Sequence, residues 1–151
     1  MSSTQDMGGA KITNVADPTG SQDVMTMNYG LTNFPVQYTA TGNTTNATPT
    51  TIATIPLDAS TTTFVNAVIV GRCTGGSAGT VNDGLMFVIN GAYKMLSGVA
   101  TQIGLTIPSI TQDKFIWNST INPSSGNVLI QVTGAVNTNI SWKVVYQLIK
   151  V

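Results

Sequence analysis

The clearest structural signal in the chain is its last segment, Asn139-Ile140-Ser141-Trp142-Lys143-Val144-Val145-Tyr146-Gln147-Leu148-Ile149-Lys150-Val151. Large apolar residues occupy every second position in it, and successive side chains of a β-strand point to opposite faces of a sheet. The pattern predicts a long strand with one buried face. Its predicted core side carries Ile140, Trp142, Val144, Tyr146 and Leu148, with Lys150 at the end, and its other side carries Ser141, Lys143, Val145, Gln147 and Ile149.

A strand-and-turn pattern extends back from this segment to Phe34, with β-branched and aromatic runs separated by Gly, Pro, Asn, Asp and Ser. The predicted strands are Phe34–Ala40, Thr50–Leu57, Thr63–Arg72, Leu85–Leu96, Thr101–Ile107, Phe115–Asn118, Asn127–Gly134 and Asn139–Val151. A parallel sheet would need crossover helices, and the loops are too short for them. The predicted fold is therefore all-β: an antiparallel two-sheet sandwich, jelly-roll-like, forming a head domain over residues 34–151.

The turns between these strands are clear except at one place. Thr74–Gly79, Asn82-Asp83-Gly84 and Asn122–Gly126 consist of residues that favour turns. Asn90-Gly91 interrupts a predicted strand. It is compatible with a type I′ turn that joins two strands, and equally with one strand that contains a bulge.

The composition excludes several classes of function. Only 8% of residues are charged, and six basic side chains balance six acidic ones. No basic field therefore favours nucleic acid. There is no His and no Glu, and Cys73 is the lone cysteine, so we expect no metal site and no cofactor. Cys73 follows an apolar run and is predicted to be a small buried hydrophobe.

No apolar run approaches the roughly 20 residues that span a bilayer, so we expect no membrane insertion. Met1 to Asp6 is polar and unlike a secretory signal. A polar surface without an export signal fits a piece of a longer protein, or a protein released by lysis within a phage particle.

The first 33 residues have a different pattern. A short strand-like piece, Ala10–Ala16, precedes Asp17-Pro18, which is typical of a helix start. Val24, Met27 and Leu31 follow at helical spacing. A helix this short is marginal alone. Its apolar stripe could pack on the following domain or on neighbouring chains, and we favour the second because nothing else in this segment can form a core.

The segment Met7–Thr19, followed by Gln22-Asp23-Val24 and Asn28-Tyr29, resembles a short module of phage tail fibres. Its Ile-Thr-Asn-Val-Ala core is also similar to the stalk motif of bacterial trimeric autotransporter adhesins. Both families place the module in three-chain stalks, although Val24-Met25 and Met27 depart from the usual residues. The resemblance implies a trimerisation stalk over residues 1–33. Its expected interface residues are Ile12, Val15, Val24, Met27 and Leu31.

The rest of the chain is similar to a β domain at the C-termini of phage structural proteins. The matching features are Val68–Arg72 before a Gly-rich tip, the run Gly91–Lys94, Trp117, and the ending from Gly134 through Trp142. The resemblance implies a fibre tip, located in an extracellular virion appendage, with other virion proteins as partners.

Catalysis requires suitably placed carboxylates, and the head offers Asp58, Asp83 and Asp113. All three fall in predicted turns, where Asp bonds its own backbone. With no His or Glu to assist, we predict no catalytic residues and a protein that is not an enzyme.

Sugar binding is the favoured role for the head, because sugar rings present apolar faces together with hydroxyl rims. Tyr93 and Trp117 are the candidate platforms, and Asn82, Asp83 and Asn118 are the candidate polar partners. Tyr38 is a further possible platform. A Trp in a sandwich strand is more often a core residue.

The sequence thus predicts a homotrimeric structural protein of a phage tail fibre or similar virion appendage, with a head that attaches to a host-surface glycan or protein receptor. The alternatives are a fragment of a bacterial trimeric adhesin and a glycan-cleaving enzyme of the tailspike type.

Overall fold

The computed structural model describes residues 16, 19, 36–106, 108–113 and 116–151. The chain divides into two units, Met1–Pro35 and Val36–Val151, and the second is described here. The apolar helical stripe predicted for the stalk and all of the stalk's expected interface residues lie outside the described residues. These are Ile12, Val15, Val24, Met27 and Leu31.

The described residues form nine strands and no helix, which confirms the all-β prediction. The strands are β1 Gln37–Thr44, β2 Thr50–Pro56, β3 Thr62–Gly75, β4 Gly84–Leu96, β5 Val99–Ile103, β6 Ser109–Gln112, β7 Asn118–Ser124, β8 Asn127–Thr133 and β9 Asn139–Lys150. Within this part of the chain, no helix is long and apolar enough to cross a membrane.

The strands make two antiparallel sheets, as predicted. The large sheet has the order β1-β9-β3-β4-β5, and β6 pairs with β4 beside β5. The small sheet has the order β2-β8-β7. The chain's last predicted strand, β9, therefore lies inside the large sheet, between β1 and β3.

The core lies between the inner faces of the two sheets. Val65, Ala67 and Ile69 of β3 alternate with exposed or half-buried neighbours, which is the pattern of a strand with one buried face. Val128 and Ile130 of β8 belong to the same buried cluster. Burial of each such larger side chain stabilises the fold by about 1.5–3 kcal/mol.

Two glycines of the large sheet make room for aromatic rings in this core. A Cβ on Gly71 would lie 2.7 Å from Cζ3 of Trp142, and a Cβ on Gly91 would lie 2.6 Å from Oη of Tyr93. The Tyr93 hydroxyl donates a hydrogen bond to the main-chain oxygen of Ile121 at 2.9 Å, which ties the large sheet to the small one. Glycine is thus required at both positions by a ring.

The Asn90-Gly91 dipeptide is neither a turn nor a bulge. β4 runs through it, and its pairing with β3 continues in register from Gly84 to Lys94. Both sequence-based alternatives are therefore wrong. The glycine is used for close packing against Tyr93, and a dipeptide signal does not distinguish this role from a turn.

The region between β5 and β8 also differs from the prediction. Strand β6 was not predicted, and β7 begins at Asn118, where the predicted strand Phe115–Asn118 ends. β7 continues through Pro123, which is tolerated because β7 is an edge strand. The turn that follows is only Ser125-Gly126, and its main-chain oxygens accept hydrogen bonds from Ala100 and Leu57.

Candidate functional site

The outer face of the large sheet points away from the small sheet. It is partly apolar. Val145, Val68 and Val88 lie opposite one another on β9, β3 and β4, and Phe64 lies opposite Ile149. These side chains are half-buried or exposed, with Phe64 at 39% and Ile149 at 59%.

A groove of about 490 Å³ crosses one end of this outer face. We call it the basic groove. Its lining residues are Thr41, Gly42, Asn43, Val70, Arg72, Ser141, Trp142 and Lys143.

The strand register places the polar side chains of the basic groove in two rows. Lys143 of β9 lies opposite Thr41 of β1 and opposite Val70 of β3. The second row has Ser141 opposite Asn43 and Arg72. Because residues two apart on a strand share a face, both rows lie on the outer face of the sheet.

All three members of the second row take part in hydrogen bonds. The Ser141 hydroxyl donates to Oδ1 of Asn43 at 2.9 Å. Nη1 of Arg72 donates to Oδ1 of Asn82 at 3.1 Å. Asn82 has a φ of 73°, a left-handed conformation that Asn tolerates, and its N–H donates to the main-chain oxygen of Cys73 at 3.0 Å.

The floor of the basic groove is rigid. The Trp142 side chain is buried on the inner face, so only its main chain can line the groove. Its Nε1 donates to Oγ1 of Thr44 at 2.8 Å, and its ring packs edge-on against Trp117 with centroids 6.3 Å apart. Apolar contact on the open side comes from Val70, which is 47% exposed.

The charged side chains that line the basic groove are all positive. Its lining includes two cations, Arg72 and Lys143, and no carboxylate. The acidic side chains of the neighbourhood belong to the β4 side, where Asp83 precedes Gly84, the partner of Arg72 in the ladder. Oδ2 of Asp113 accepts a hydrogen bond from the Gly84 N–H at 2.7 Å. The groove can therefore offer charged donors together with amide and hydroxyl groups.

The sequence-predicted aromatic platforms lie inside the head. Tyr93 and Trp117 are buried, so neither ring offers a face to a ligand. This differs from the expectation of exposed platforms, because packing between the sheets uses both rings. Burial raises the pKa of Tyr93 above its usual 10.0, and a hydrogen bond with Thr106 opposes that rise. Tyr38 is 41% exposed and stacks on Tyr146, with ring centroids 5.2 Å apart.

The sequence-predicted polar partners lie in two places. Asn82 and Asp83 lie beside the basic groove, where Asn82 holds Arg72. Asn118 is at the start of β7 and lines a separate pocket of about 330 Å³, together with Gln102 and Thr106. Its Oδ1 accepts a hydrogen bond from the N–H of Ser119 at 2.8 Å.

Sequence reasoning missed most of the basic groove. Alternation along the last strand did place Ser141 and Lys143 together on the side opposite the core. Their neighbours, Asn43 and Arg72, come from strands about 100 and 70 residues away in the chain, and only the pairing of β9 with β1 and β3 brings them together. A single sequence carries no direct signal of that pairing.

Asp58, the third candidate carboxylate of the head, lies in the connection between β2 and β3. Asp58 forms an ion pair with Lys150, with 2.6 Å between Oδ2 and Nζ. Among the residues that the structure describes, no group of three or more His, Cys, Asp or Glu could hold a metal ion.

Comparison with known proteins gives structural likenesses only. No family model and no curated protein matches the chain. One solved structure, the tailspike protein of Acinetobacter baumannii phage AM24, aligns over 74% of this chain with 9% identity and a TM-score of 0.40. Another, the tailspike protein of Acinetobacter phage vB_ApiP_P1, aligns over 94% with 13% identity and a TM-score of 0.38.

Both likenesses are therefore to appendages of phage tails, and the chain spans about a quarter of each tailspike, 26% and 24%. One prediction from the sequence is corrected at this point. The expectation that the chain is not an enzyme is contradicted, because both proteins are tailspikes, the class named above for the glycan-cleaving alternative.

Proposed function

We propose that this chain is a host-recognition domain of a phage tail appendage, and that the basic groove binds a glycan of the host surface. The observation that carries the proposal is the double row of polar side chains on the outer face, with Asn43, Arg72, Ser141 and Lys143 around one groove. In this proposal the protein acts in the virion, outside the host cell.

The chemistry of the basic groove suits sugars. Sugar hydroxyls donate and accept hydrogen bonds, and the groove presents an amide, two hydroxyls and two cationic donors. Strand spacing gives the two rows an area of roughly 7 by 10 Å, comparable with one or two sugar rings. Because these side chains stand on paired strands, the backbone of the groove loses little freedom when a ligand binds.

The second part of the proposal is that three copies of the chain assemble. The resemblance of Met7–Thr19 to three-chain stalks supports it, and so does the apolar part of the outer face around Val68 and Phe64. Exposed apolar patches of this kind are commonly buried between subunits. The chain has no net charge, so copies do not repel one another strongly.

A binding screen tests the glycan part. The full chain is incubated with polysaccharides extracted from candidate host surfaces, alongside protease-treated and untreated cells. We expect binding that survives protease treatment and is weakened by Asn43→Ala and Ser141→Ala. Thr54→Ala, an exposed change on β2 of the small sheet, is the matched control. Binding that disappears with protease treatment would point to a protein receptor instead.

The trimer part is tested separately by light scattering. The full chain is expected to have the mass of three copies at micromolar concentration, and deletion of residues 1–33 is expected to weaken the association. A monomer at that concentration would contradict the assembly while leaving the glycan test unaffected.

A second candidate function is glycan cleavage, favoured by two carboxylates next to Gly84: Asp83 precedes it in the chain, and Oδ2 of Asp113 accepts a hydrogen bond from its N–H. In hydrolysis one carboxylic acid would protonate the leaving oxygen, and the other carboxylate would take a proton from the attacking water. The test is the release of reducing ends from a bound polysaccharide. Asp83→Asn and Asp113→Asn should abolish the release, and Asp58→Asn should not.

A further inference from the structure

We infer that the ligand of the basic groove carries a negative charge: a carboxylate, phosphate or sulfate group on the glycan. The inference deepens the proposed function and rests on it. It comes from the charges of the groove, which the proposed function does not itself require.

The charges of Arg72 and Lys143 are available to a ligand. In the described part of the chain, neither side chain forms an ion pair with a carboxylate, whereas Lys150 is paired with Asp58 at 2.6 Å. The only hydrogen bond of Arg72 to a described side chain goes to the neutral amide oxygen of Asn82 at 3.1 Å. Such a contact orients a guanidinium and leaves its charge unneutralised.

The two cations stand where one anionic group can reach both. Arg72 lies opposite Ser141 on β3, and Lys143 is two residues from Ser141 on β9. Diagonal neighbours of this kind are about 7–8 Å apart at the backbone, within reach of long side chains. An anion between them would relieve the repulsion between two like charges.

The Arg72 guanidinium adds directional hydrogen bonding to its positive charge. Arg72 has five N–H donors in a planar fork, and the bond to Asn82 uses one Nη1 donor. A fork of this kind binds carboxylate and phosphate oxygens two at a time, whereas Lys143 adds a point charge. The amide N–H groups of Asn43 and the lone pairs of the Ser141 hydroxyl oxygen are not used by the Ser141–Asn43 hydrogen bond and can bond neighbouring hydroxyls of the sugar.

The carboxylates near the groove define the direction of approach. Asp83 and Asp113 lie on the β4 side of Arg72, next to Gly84. The carboxylate of Asp113, held at the Gly84 N–H, repels an anion from that side. The negative group is therefore expected on the β9 side, between Arg72 and Lys143.

The test compares a charged oligosaccharide with its neutral form. Tetragalacturonate and its full methyl ester have the same sugar backbone and differ in their carboxylates. An oligomer of glycerol phosphate and a sulfated glucose oligomer extend the test to the other anionic groups. Affinity is measured by calorimetry with the full chain at low and high salt.

We expect at least one of the acidic probes to bind, and galacturonate to lose at least tenfold in affinity on esterification. Arg72→Gln and Lys143→Gln should each weaken binding about tenfold, the loss expected for one charge-assisted hydrogen bond. Arg72→Lys should give an intermediate loss, because it keeps the charge and removes the fork. Higher salt should weaken binding, because the groove is exposed.

Lys94→Gln is the matched control. Lys94 lies in the same sheet, is opposite Thr62 and Thr101, and is not among the lining residues of the groove. Lys94→Gln removes one positive charge, as the groove variants do, without changing a lining residue of the groove. Circular dichroism melting curves establish that each variant is folded.

The possible outcomes separate the inference from the proposed function. Neutral glycans that bind as well as acidic ones, or binding that is unchanged by Arg72→Gln and Lys143→Gln, would overturn the inference alone. Weakening by Lys94→Gln as large as that by the groove variants would also overturn it, since nonspecific charge would then be the cause. Failure of every glycan, neutral or acidic, to bind would overturn both.

Discussion

The two faces of the large sheet are built from the same strands and differ in every other respect. On the inner face, Ile69 is fully buried and Trp142 is packed over Gly71. On the outer face, the neighbouring residues Val70 and Lys143 are exposed. Stability is thus concentrated at alternate residues. The exposed residues between them can therefore change without changing the core.

The largest expected effect comes from breaking the inner face at β3. Ile69→Ala should lower the free energy of unfolding by about 2–5 kcal/mol, because it leaves a cavity in a closely packed core. Val70→Ala, one residue along and on the outer face, should cost about 0.5–1 kcal/mol. Urea denaturation followed by fluorescence measures both. Equal losses would mean that the outer face is as well packed as the inner one.

A smaller effect is expected from adding one methyl group under a ring. Gly71→Ala should lower the free energy of unfolding by about 1–3 kcal/mol, because its Cβ would lie 2.7 Å from the Trp142 ring. Gly84→Ala is the control on the same sheet, where the nearest atom would be 3.8 Å away. Its change should stay within about 1 kcal/mol in either direction. A Gly71→Ala variant as stable as the parent would show that the ring can move aside.

The link between the two sheets gives the next prediction. Tyr93→Phe removes the hydrogen bond to the Ile121 oxygen and should lower the free energy of unfolding by about 1 kcal/mol at pH 7. Thermal melts of the variant and the parent at pH 7 check this value. No loss at pH 7 would mean that this bond contributes nothing to stability.

The pH dependence of the same residue is a separate expectation. Because burial raises the pKa of Tyr93 in the folded state, the unfolded chain loses its proton first as pH rises. The stability contributed by Tyr93 is therefore complete below about pH 10 and is lost as pH rises through the folded pKa. Melts between pH 8 and pH 11 should show a decline that is smaller in Tyr93→Phe. Equal declines would assign the alkaline loss to other groups, such as Tyr146, whose pKa is also raised, first by burial and then by Tyr38.

The smallest effect on stability is expected on the outer face, where the effect on assembly should be clear. The double change Phe64→Thr and Ile149→Thr places residues of high strand propensity on opposite partners of β3 and β9 and removes apolar surface. We expect less than about 1 kcal/mol of destabilisation and a lower mass by light scattering. Leu105→Ser, at a residue 88% exposed outside the strands, is the control. An unchanged mass would exclude this face from the assembly.

The sequence predicted those features of the fold that depend on neighbouring residues, and it failed for features that depend on packing. The alternation from Ile140 to Val144 is local, and it identified the buried face of β9 correctly. Asn90-Gly91 is also local, but its use depends on Tyr93 packing against it, and a dipeptide does not contain that information. Strand patterns therefore predicted the existence of the strands better than turn-favouring residues predicted where the strands end.

The residues of the proposed binding groove were harder to predict for a related reason. Tyr93 and Trp117 were chosen because exposed aromatic rings bind sugars, yet their burial depends on which strands face each other across the core. Arg72 and Lys143 were not predicted as site residues. The net charge of the chain is zero, and it gives no sign that the pairing of β3 with β9 places these two cations close together. Composition averages over the whole surface, whereas binding depends on a small part of it.

The position of β9 between β1 and β3 has a consequence for biosynthesis. Both ladders of β9 join it to strands made much earlier, so the large sheet cannot be completed until residue 150 has emerged from the ribosome. Pairing across such long separations is slow and leaves strand edges open in the meantime. Nascent chains of this protein therefore pass through a period of vulnerability to aggregation, which faster synthesis of the last strand would shorten and a chaperone at the exit tunnel would cover.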